Sequence, residues 1–394
     1  MLPSDREIVD SAYDETTLAI VTAIRDLCQD FDDPYWSKCD EEKRYPSEFV
    51  SALASGGWLG LTISSQYGGS ELGHTQAAAV LHEVAASGAG INGCIPLHMP
   101  MFATASLVTY GSDELKRRFL PEICSGERTI CFAVTEPDAG SDTSKITTRA
   151  VPNKDGWSLS GQKIWITQSL QAQSCILLAR TGPAKSGRFD GLSLFFADLD
   201  DRFVEKRPIS KMPHNALASC ELFFSDLPVT RDRLIGEEGR GFYHVLKSLN
   251  SERTLMAAEI VGLGRAALKR GVEYAQARQV FSRPIGANQA ISHPLARAGA
   301  MLSASWLCVM DATRRIDQGK DAGAASNMAK YLSAEACYAA ADAALQAHGG
   351  MGFAREYHVE RYFREARLLR TAPVSQEMTL NYLAQTVLGL PRSY

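Results

Sequence analysis

The 394-residue sequence predicts an α+β chain, mostly α: an N-terminal helical domain, a middle antiparallel β-barrel or sandwich, and a C-terminal helical bundle. Three observations predict it. Between about residues 5 and 130, apolar side chains recur at helical spacing. From 129 to about 229 the period shortens to two, and Gly, Pro or Asp separates the runs. After Gly236-Glu237-Glu238-Gly239, long helical stripes return. The expected divisions are therefore 1–128, 129–235 and 236–394, the last a four-helix bundle.

Taken in order, Tyr13 to Phe31 places Leu18, Val21, Ile24, Leu27 and Cys28 along one helical face. Pro46 opens a second helix holding Phe49, Val50 and Leu53, which Gly56-Gly57 ends. Thr75 to Ala86 is alanine-rich and helical, and Asn92 to Phe102 reads as a loop and helix start rich in bulky apolar groups. His98 within it reads as a structural histidine. Ser112 caps the helix that Gly126 closes. In the middle part, Lys154-Asp155-Gly156 marks a hairpin, and SCILLAR, GLSLFFADL, VEKRPIS and SCELFFSDLPV are short strands. Behind them come Gly241 to Gln279, an alanine-rich helix from Asn327, a charged stretch from Arg355 to Arg370 that reads as solvated or subunit-facing, and a last amphipathic helix from Gln376 to Leu388.

Composition excludes several classes. The 45% hydrophobic and 22% charged residues are ordinary for a globular protein with a sizeable core. A net charge of −4 without a Lys/Arg-rich run argues against a nucleic-acid partner. The N-terminus lacks a basic stretch followed by an apolar core, no run reads as a bilayer span, and nine scattered Cys read as reduced thiols. A cytoplasmic chain with no metal site and no membrane partner is expected.

Two stretches carry chemistry. FAVTEPDAGSD, Phe132 to Asp142, reads as a short strand running into a turn, where Pro137 and Gly140 let the backbone bend close to whatever lies on that rim. GQKIWIT, Gly161 to Thr167, places Trp165 and Thr167 two apart on a strand, so that an aromatic face and a hydroxyl share one side. A wide ring with polar edges needs that combination. A core Trp beside an ordinary turn explains either stretch alone equally well.

Further on, Glu252 falls on an apolar stripe with Val245, Leu249, Met256 and Ile260. A carboxylate there is costly unless it is paired or has a task, and desolvation lifts its pKa toward that of a general base. The residues alone leave two readings open: a base, or half of an ion pair with an Arg from another helix.

Together, in this order and separation, the two stretches resemble the flavin-binding signature of the acyl-CoA dehydrogenase family. The resemblance extends through FSRPIGANQAISH, QAHGGMGF and the closing helices, nearly the whole chain. It implies non-covalent FAD bound by Phe132, Val134, Thr135, Gly140, Ser141, Trp165 and Thr167, of which Thr135, Trp165 and Thr167 touch the ring, with the Thr167 hydroxyl near N5. It implies that Arg278, Phe281 and Gln289 reach the far end of FAD from a neighbouring subunit, and that Gln346 and Gly350 lie near its phosphate or adenine.

Family members keep the catalytic Glu either in a helical segment like Ser251-Glu252-Arg253 or near the chain end, where this sequence has Pro373. The resemblance thus gives the base role to Glu252 and an organising role to Arg253. Pro373 also removes an N–H that family members use to hold the thioester carbonyl. Either a neighbour such as Val374 supplies it, or the thioester sits differently, or a shifted register makes Glu377 the runner-up base. The implied activity is α,β-desaturation of an acyl-CoA, with electrons passed through FAD to an electron-transfer flavoprotein, in a homotetramer built as a dimer of dimers. An oxidase- or hydroxylase-like relative and an impaired acyl-CoA- or flavin-binding scaffold are the alternatives.

Overall fold

A computed structural model describes residues 2–392. Its N-terminal part holds seven helices: α1 (Pro3–Asp10), α2 (Glu15–Gln29), α3 (Asp33–Glu41), α4 (Ser47–Ser55), α5 (His74–Val84), α6 (Gly90–Tyr110) and α7 (Asp113–Cys124). The starts are capped as their sequences dictate. Asp14 accepts the Thr17 N–H at 2.7 Å at the head of α2, and Ser112 accepts the Leu115 N–H at 3.2 Å at the head of α7. In α2, Val21, Ile24 and Cys28 are buried as expected, while Leu18 is 39% exposed, because Thr17, four before Val21, takes the buried place in the first turn.

The stretch from Asn92 to Phe102 is not a loop. It lies inside α6, which carries Pro96 and Pro100 within the helix. The helix begins after a distorted turn at Ala85–Ala89, where Gly88 and Gly90 take left-handed backbone at φ 115° and 61°. Its first N–H groups are capped from far away: Glu365 accepts from Ile91 N–H and from Asn92 Nδ2, both at 2.8 Å. The run His74–Tyr110 is long and apolar enough to cross a membrane by length and composition, but its apolar window is 78% buried in the fold, as a core helix is.

The middle part is one sheet of eight strands: β1 (Ile130–Ala133), β2 (Arg149–Pro152), β3 (Gly156–Thr167), β4 (Ser174–Arg180), β5 (Leu192–Asp198), β6 (Val204–Pro208), β7 (Ser219–Thr230) and β8 (Leu234–Ile235). The order is β6-β7-β3-β2-β4-β5-β8, with β1 also paired to β4. The predicted hairpin is present as the antiparallel β2–β3 pair. The sheet is not purely antiparallel, because β1 and β2 both run parallel to β4. Along β1 the alternation holds: Ile130 and Val134 join the cluster under the helices, and Cys131 and Ala133 join the one inside the sheet.

The C-terminal part contains α8 (Gly241–Ala277), the short hairpin β9 (Gln279–Val280) and β10 (Arg283–Pro284), α9 (Gln289–Asp317), α10 (Gly323–His348), α11 (Val359–Leu368) and α12 (Gln376–Tyr382). The helix α8 packs on α5, α6, α9, α10 and α11, which explains why it is buried nearly all round in its central turns. The charged stretch around α11 is not a solvated face. Arg361 and Glu365 are buried, with Arg361 donating to the Gly88 carbonyl at 2.9 Å while Glu365 caps α6.

Candidate active site

Glu252 sits in the second half of the first third of α8, only 4% exposed, and its Oε2 has no hydrogen-bond partner. Burial pushes the carboxyl up to about 7, against the opposing pull of His98, Arg253 and Lys330. No ion pair holds it among the described residues, so the ion-pair reading of this carboxylate is not what the fold shows. Lys330 on α10 donates to the Leu369 carbonyl at 2.7 Å, and burial draws its ammonium down to about 8. Arg253, half-buried, donates to Asn250 Oδ1 at 3.2 Å and leaves its Nε without a partner. A buried, unpaired carboxylate with a near-neutral pKa can take a proton from a weak carbon acid.

One residue near this base, Glu259, escaped the sequence reading, and its partner His98 reads from sequence as structural. Glu259 lies seven residues after Glu252 and is fully buried. Its Oε1 is hydrogen-bonded to His98 Nδ1 of α6, which is also buried. The signal for Glu259 was present, since i and i+7 share a helical face. His98, expected as a structural histidine, is buried and hydrogen-bonded; its partner could not be read because the two lie 161 residues apart.

The competing carboxylate is placed differently. Glu377 is exposed in the first turn of α12, where its own N–H and Ser375 hold it below the usual carboxylate range. Near Pro373, the Val374 N–H makes no hydrogen bond among the described residues and is available as a donor.

The two chemistry-bearing stretches are clamped together. Lys163, 0% exposed, donates to the Val134 carbonyl at 2.8 Å and to Glu136 Oε1 at 2.9 Å. Glu136 also accepts from the Thr147 N–H at 2.7 Å, Thr147 Oγ1 at 2.8 Å and the Thr148 N–H at 2.9 Å. Burial alone would raise this carboxyl; Lys163 and the Thr147 N–H hold it at about 2 instead. The Ile164 N–H donates to the Thr135 carbonyl at 2.9 Å, which fixes Thr135 against β3.

Trp165 and Thr167 are not related by simple strand alternation. The β3–β7 register shifts between Lys163 and Ile166, and Trp165 takes left-handed backbone at φ 61°. The bulge turns the indole outward, leaving it 54% exposed, while the half-buried Thr167 hydroxyl meets Ser219 Oγ at 3.1 Å. Phe132 is half-buried, Val134 is buried, and Thr135 is half-buried. Gly140 and Ser141 stand exposed in the turn, and a Cβ at Gly140 would meet nothing within 4 Å. An exposed indole, a nearby hydroxyl and an open turn suit a flat ring with polar edges.

The remaining predicted residues gather at one end of the helical bundle. Tyr274, near the end of α8, stacks on His348 at the end of α10 with centroids 4.1 Å apart. Beyond them lie Arg278, Phe281 and Gln289 on one side and Gln346 and Gly350 on the other, all exposed. Phe281 is 95% exposed at the tip of the β9–β10 hairpin, where it and Ser282 both take positive φ, as a two-residue turn of this hand requires. Glu252 lies 25 residues before Ala277, about 38 Å along α8. One small molecule cannot bridge both groups within one chain.

Comparison with known proteins identifies the family. Family models match three segments: acyl-CoA dehydrogenase, N-terminal domain, over 14–127; middle domain, over 131–227; and C-terminal domain, over 239–388. The acyl-CoA dehydrogenase fadE12 of Mycobacterium bovis is 37% identical over 382 residues, covering 96% of this chain and 98% of that protein. Butyryl-CoA dehydrogenase from Megasphaera elsdenii superposes with a TM-score of 0.90 at 27% identity, over 95% of this chain and 99% of the other. An FAD complex of PigA gives a TM-score of 0.90 at 28% identity, over 96% and 98%. The chain belongs to the acyl-CoA dehydrogenase family of oxidoreductases, flavoproteins whose cofactor is FAD.

Proposed function

We infer that this protein desaturates an acyl-CoA thioester between its α and β carbons, with Glu252 as the base. The observation that carries the reading is the buried, unpaired Glu252 carboxylate, pushed up to about 7 by its surroundings. FAD, when bound, supplies the two-electron acceptor. Phe132, Val134, Thr135, Gly140, Ser141, Trp165 and Thr167 are the residues suited to hold its ring. Glu252 takes the α-proton, which is weakly acidic until the thioester carbonyl is polarised. The Val374 N–H is free to supply that polarisation where Pro373 cannot. Arg253, next to the base, orients the thioester end and keeps the base's charge compensated. The buried setting keeps water from the acidified carbon.

Arg278, Phe281, Gln289, Gln346 and Gly350 belong, on this reading, to the FAD site of a neighbouring subunit. Their distance from Glu252 along α8 and the bare Phe281 support an oligomer, a tetramer of paired dimers. Divisions near 128 and 235, a cytoplasmic setting and an electron-transfer flavoprotein as acceptor complete the assignment. Anaerobic addition of a panel of straight, branched and cyclic acyl-CoAs to the yellow holoenzyme tests it. Bleaching by at least one member, with an enoyl-CoA product, is expected; a flavin that stays yellow under every thioester would remove the activity.

A further inference from the structure

Beyond the base, the contact between α6 and α8 carries a second polar pair. Glu252 and Glu259 stand two turns apart on one side of α8, about 10 Å along the axis. Glu259 occupies Nδ1 of His98. The Nε2 of that ring has no hydrogen-bond partner among the described residues. The ring of Phe102 stands edge-on to the imidazole at 6.0 Å and meets Phe132 of β1 at 4.6 Å, so His98 is linked by contact to the strand that enters the FAD-ring stretch. Ile95, Phe102, Phe132 and Leu249 around this line are only partly buried, although packed elements flank them. The space bounded by α6, α8 and β1 is therefore not filled by the chain's own apolar side chains.

A chamber that accepts a plain hydrocarbon tail has no use for an ion pair at its wall, since burying the pair costs more than burying apolar groups of equal size. We propose that His98, held by Glu259, is a specificity-determining residue of the acyl chamber, and that it selects acyl-CoA thioesters bearing a hydrogen-bonding oxygen on the acyl group away from the thioester. This rests on the reading of Glu252 as the base for an acyl-CoA. Glu259 occupies Nδ1, so Nε2 is the ring atom left to hydrogen-bond an oxygen of the acyl group, and Glu259 draws the imidazole above its ordinary range against the effect of burial. An alkyl tail of the same length leaves that nitrogen without a partner, which discriminates against it by roughly 10- to 100-fold.

The test compares kcat/KM of the holoenzyme for matched acyl-CoAs of equal chain length, saturated against distal keto, hydroxyl or carboxylate forms. The expected result is a preference of roughly tenfold or more for one oxygenated series. In His98→Leu/Glu259→Leu, which removes both charges together, that ratio falls to near one. His98→Gln, which keeps a donor and serves if the double variant is unstable, retains part of the preference. Both substrates of a pair meet the same Glu252, so any change in the base's pKa cancels in the ratio. If hydrocarbon thioesters bleach the flavin as well as every oxygenated partner, or if the preference survives in the double variant, the inference is overturned while the desaturase reading stands. If no thioester bleaches it, the desaturase reading fails first and takes this inference with it.

Discussion

Glu252 and Glu259 occupy the same face of α8 two turns apart, both buried, yet only Glu259 is hydrogen-bonded to an imidazole, that of His98. The difference separates their tasks. A carboxylate neutralised by His98 is a fixed part of the wall, whereas one left without a partner is poised to gain and lose a proton.

Stability should depend on Glu252 in a predictable direction. Its folded pKa, about 7, lies above the value of 4.5 for the free side chain. Between these values the folded state binds more protons than the unfolded one, so the Glu252 contribution makes stability fall as pH rises through that window. The full effect is on the order of 3 kcal/mol at pH 8. Glu252→Gln should therefore raise the melting temperature at pH 8 and change it little at pH 4.5, as scanning calorimetry of the holoenzyme would show. A variant that melts lower at pH 8 contradicts the unpaired, desolvated carboxylate.

The same group sets the pH profile of turnover. Glu252 must be ionised to accept a proton, so kcat/KM should fall about tenfold per pH unit well below the carboxyl's pKa of about 7 and level off above it. A profile flat from pH 5 to 8 would point to a base that is ionised throughout that range, such as the exposed Glu377, which its own N–H and Ser375 hold below the usual carboxylate range.

Lys163 is predicted to matter for FAD as well as for the fold. Lys163→Met leaves Glu136 buried with its charge unpaired and frees the Val134 carbonyl, a loss on the order of 3–5 kcal/mol. Because the pair ties the Val134–Glu136 turn to β3, FAD should also dissociate more readily, measured by fluorescence of released flavin. A Lys163→Met/Glu136→Leu variant that regains stability but still sheds FAD would separate the two effects. Retention of FAD at the native level in that double variant argues against a positioning role.

Phe281 offers the opposite pattern. At 95% exposure it contributes little to the stability of a single chain, so Phe281→Ala should leave chain folding nearly unchanged. FAD retention and the oligomer seen by light scattering should both weaken. An unaltered oligomer with tightly bound FAD would place the hairpin outside the neighbouring subunit's site.

The order of helices, sheet and helices was legible because each changes the period of apolar residues, and Glu252 was legible because a carboxylate interrupts an apolar stripe. What escaped depends on contacts between distant segments. The bulge at Trp165 has no marker in GQKIWIT, since a positive φ on a bulky residue is held by pairing with β7 and not by local preference. The parallel neighbours of β4 arise from strands far apart in sequence. Arg361 and Glu365 looked solvated because their partners, Gly88 and Ile91, lie more than 270 residues away. His98 stood in a proline-containing stretch whose helical state is imposed by packing between α8 and β1, with Pro96 and Pro100 both inside α6.

The most direct test of the base assignment is the anaerobic rate of flavin bleaching by one reactive acyl-CoA in the native protein, Glu252→Gln and Glu377→Gln, with bound FAD quantified in each. Glu252→Gln is expected to lose roughly 10²- to 10⁴-fold and Glu377→Gln to keep the native rate. Native-speed bleaching by Glu252→Gln, with Glu377→Gln silent, would contradict that assignment.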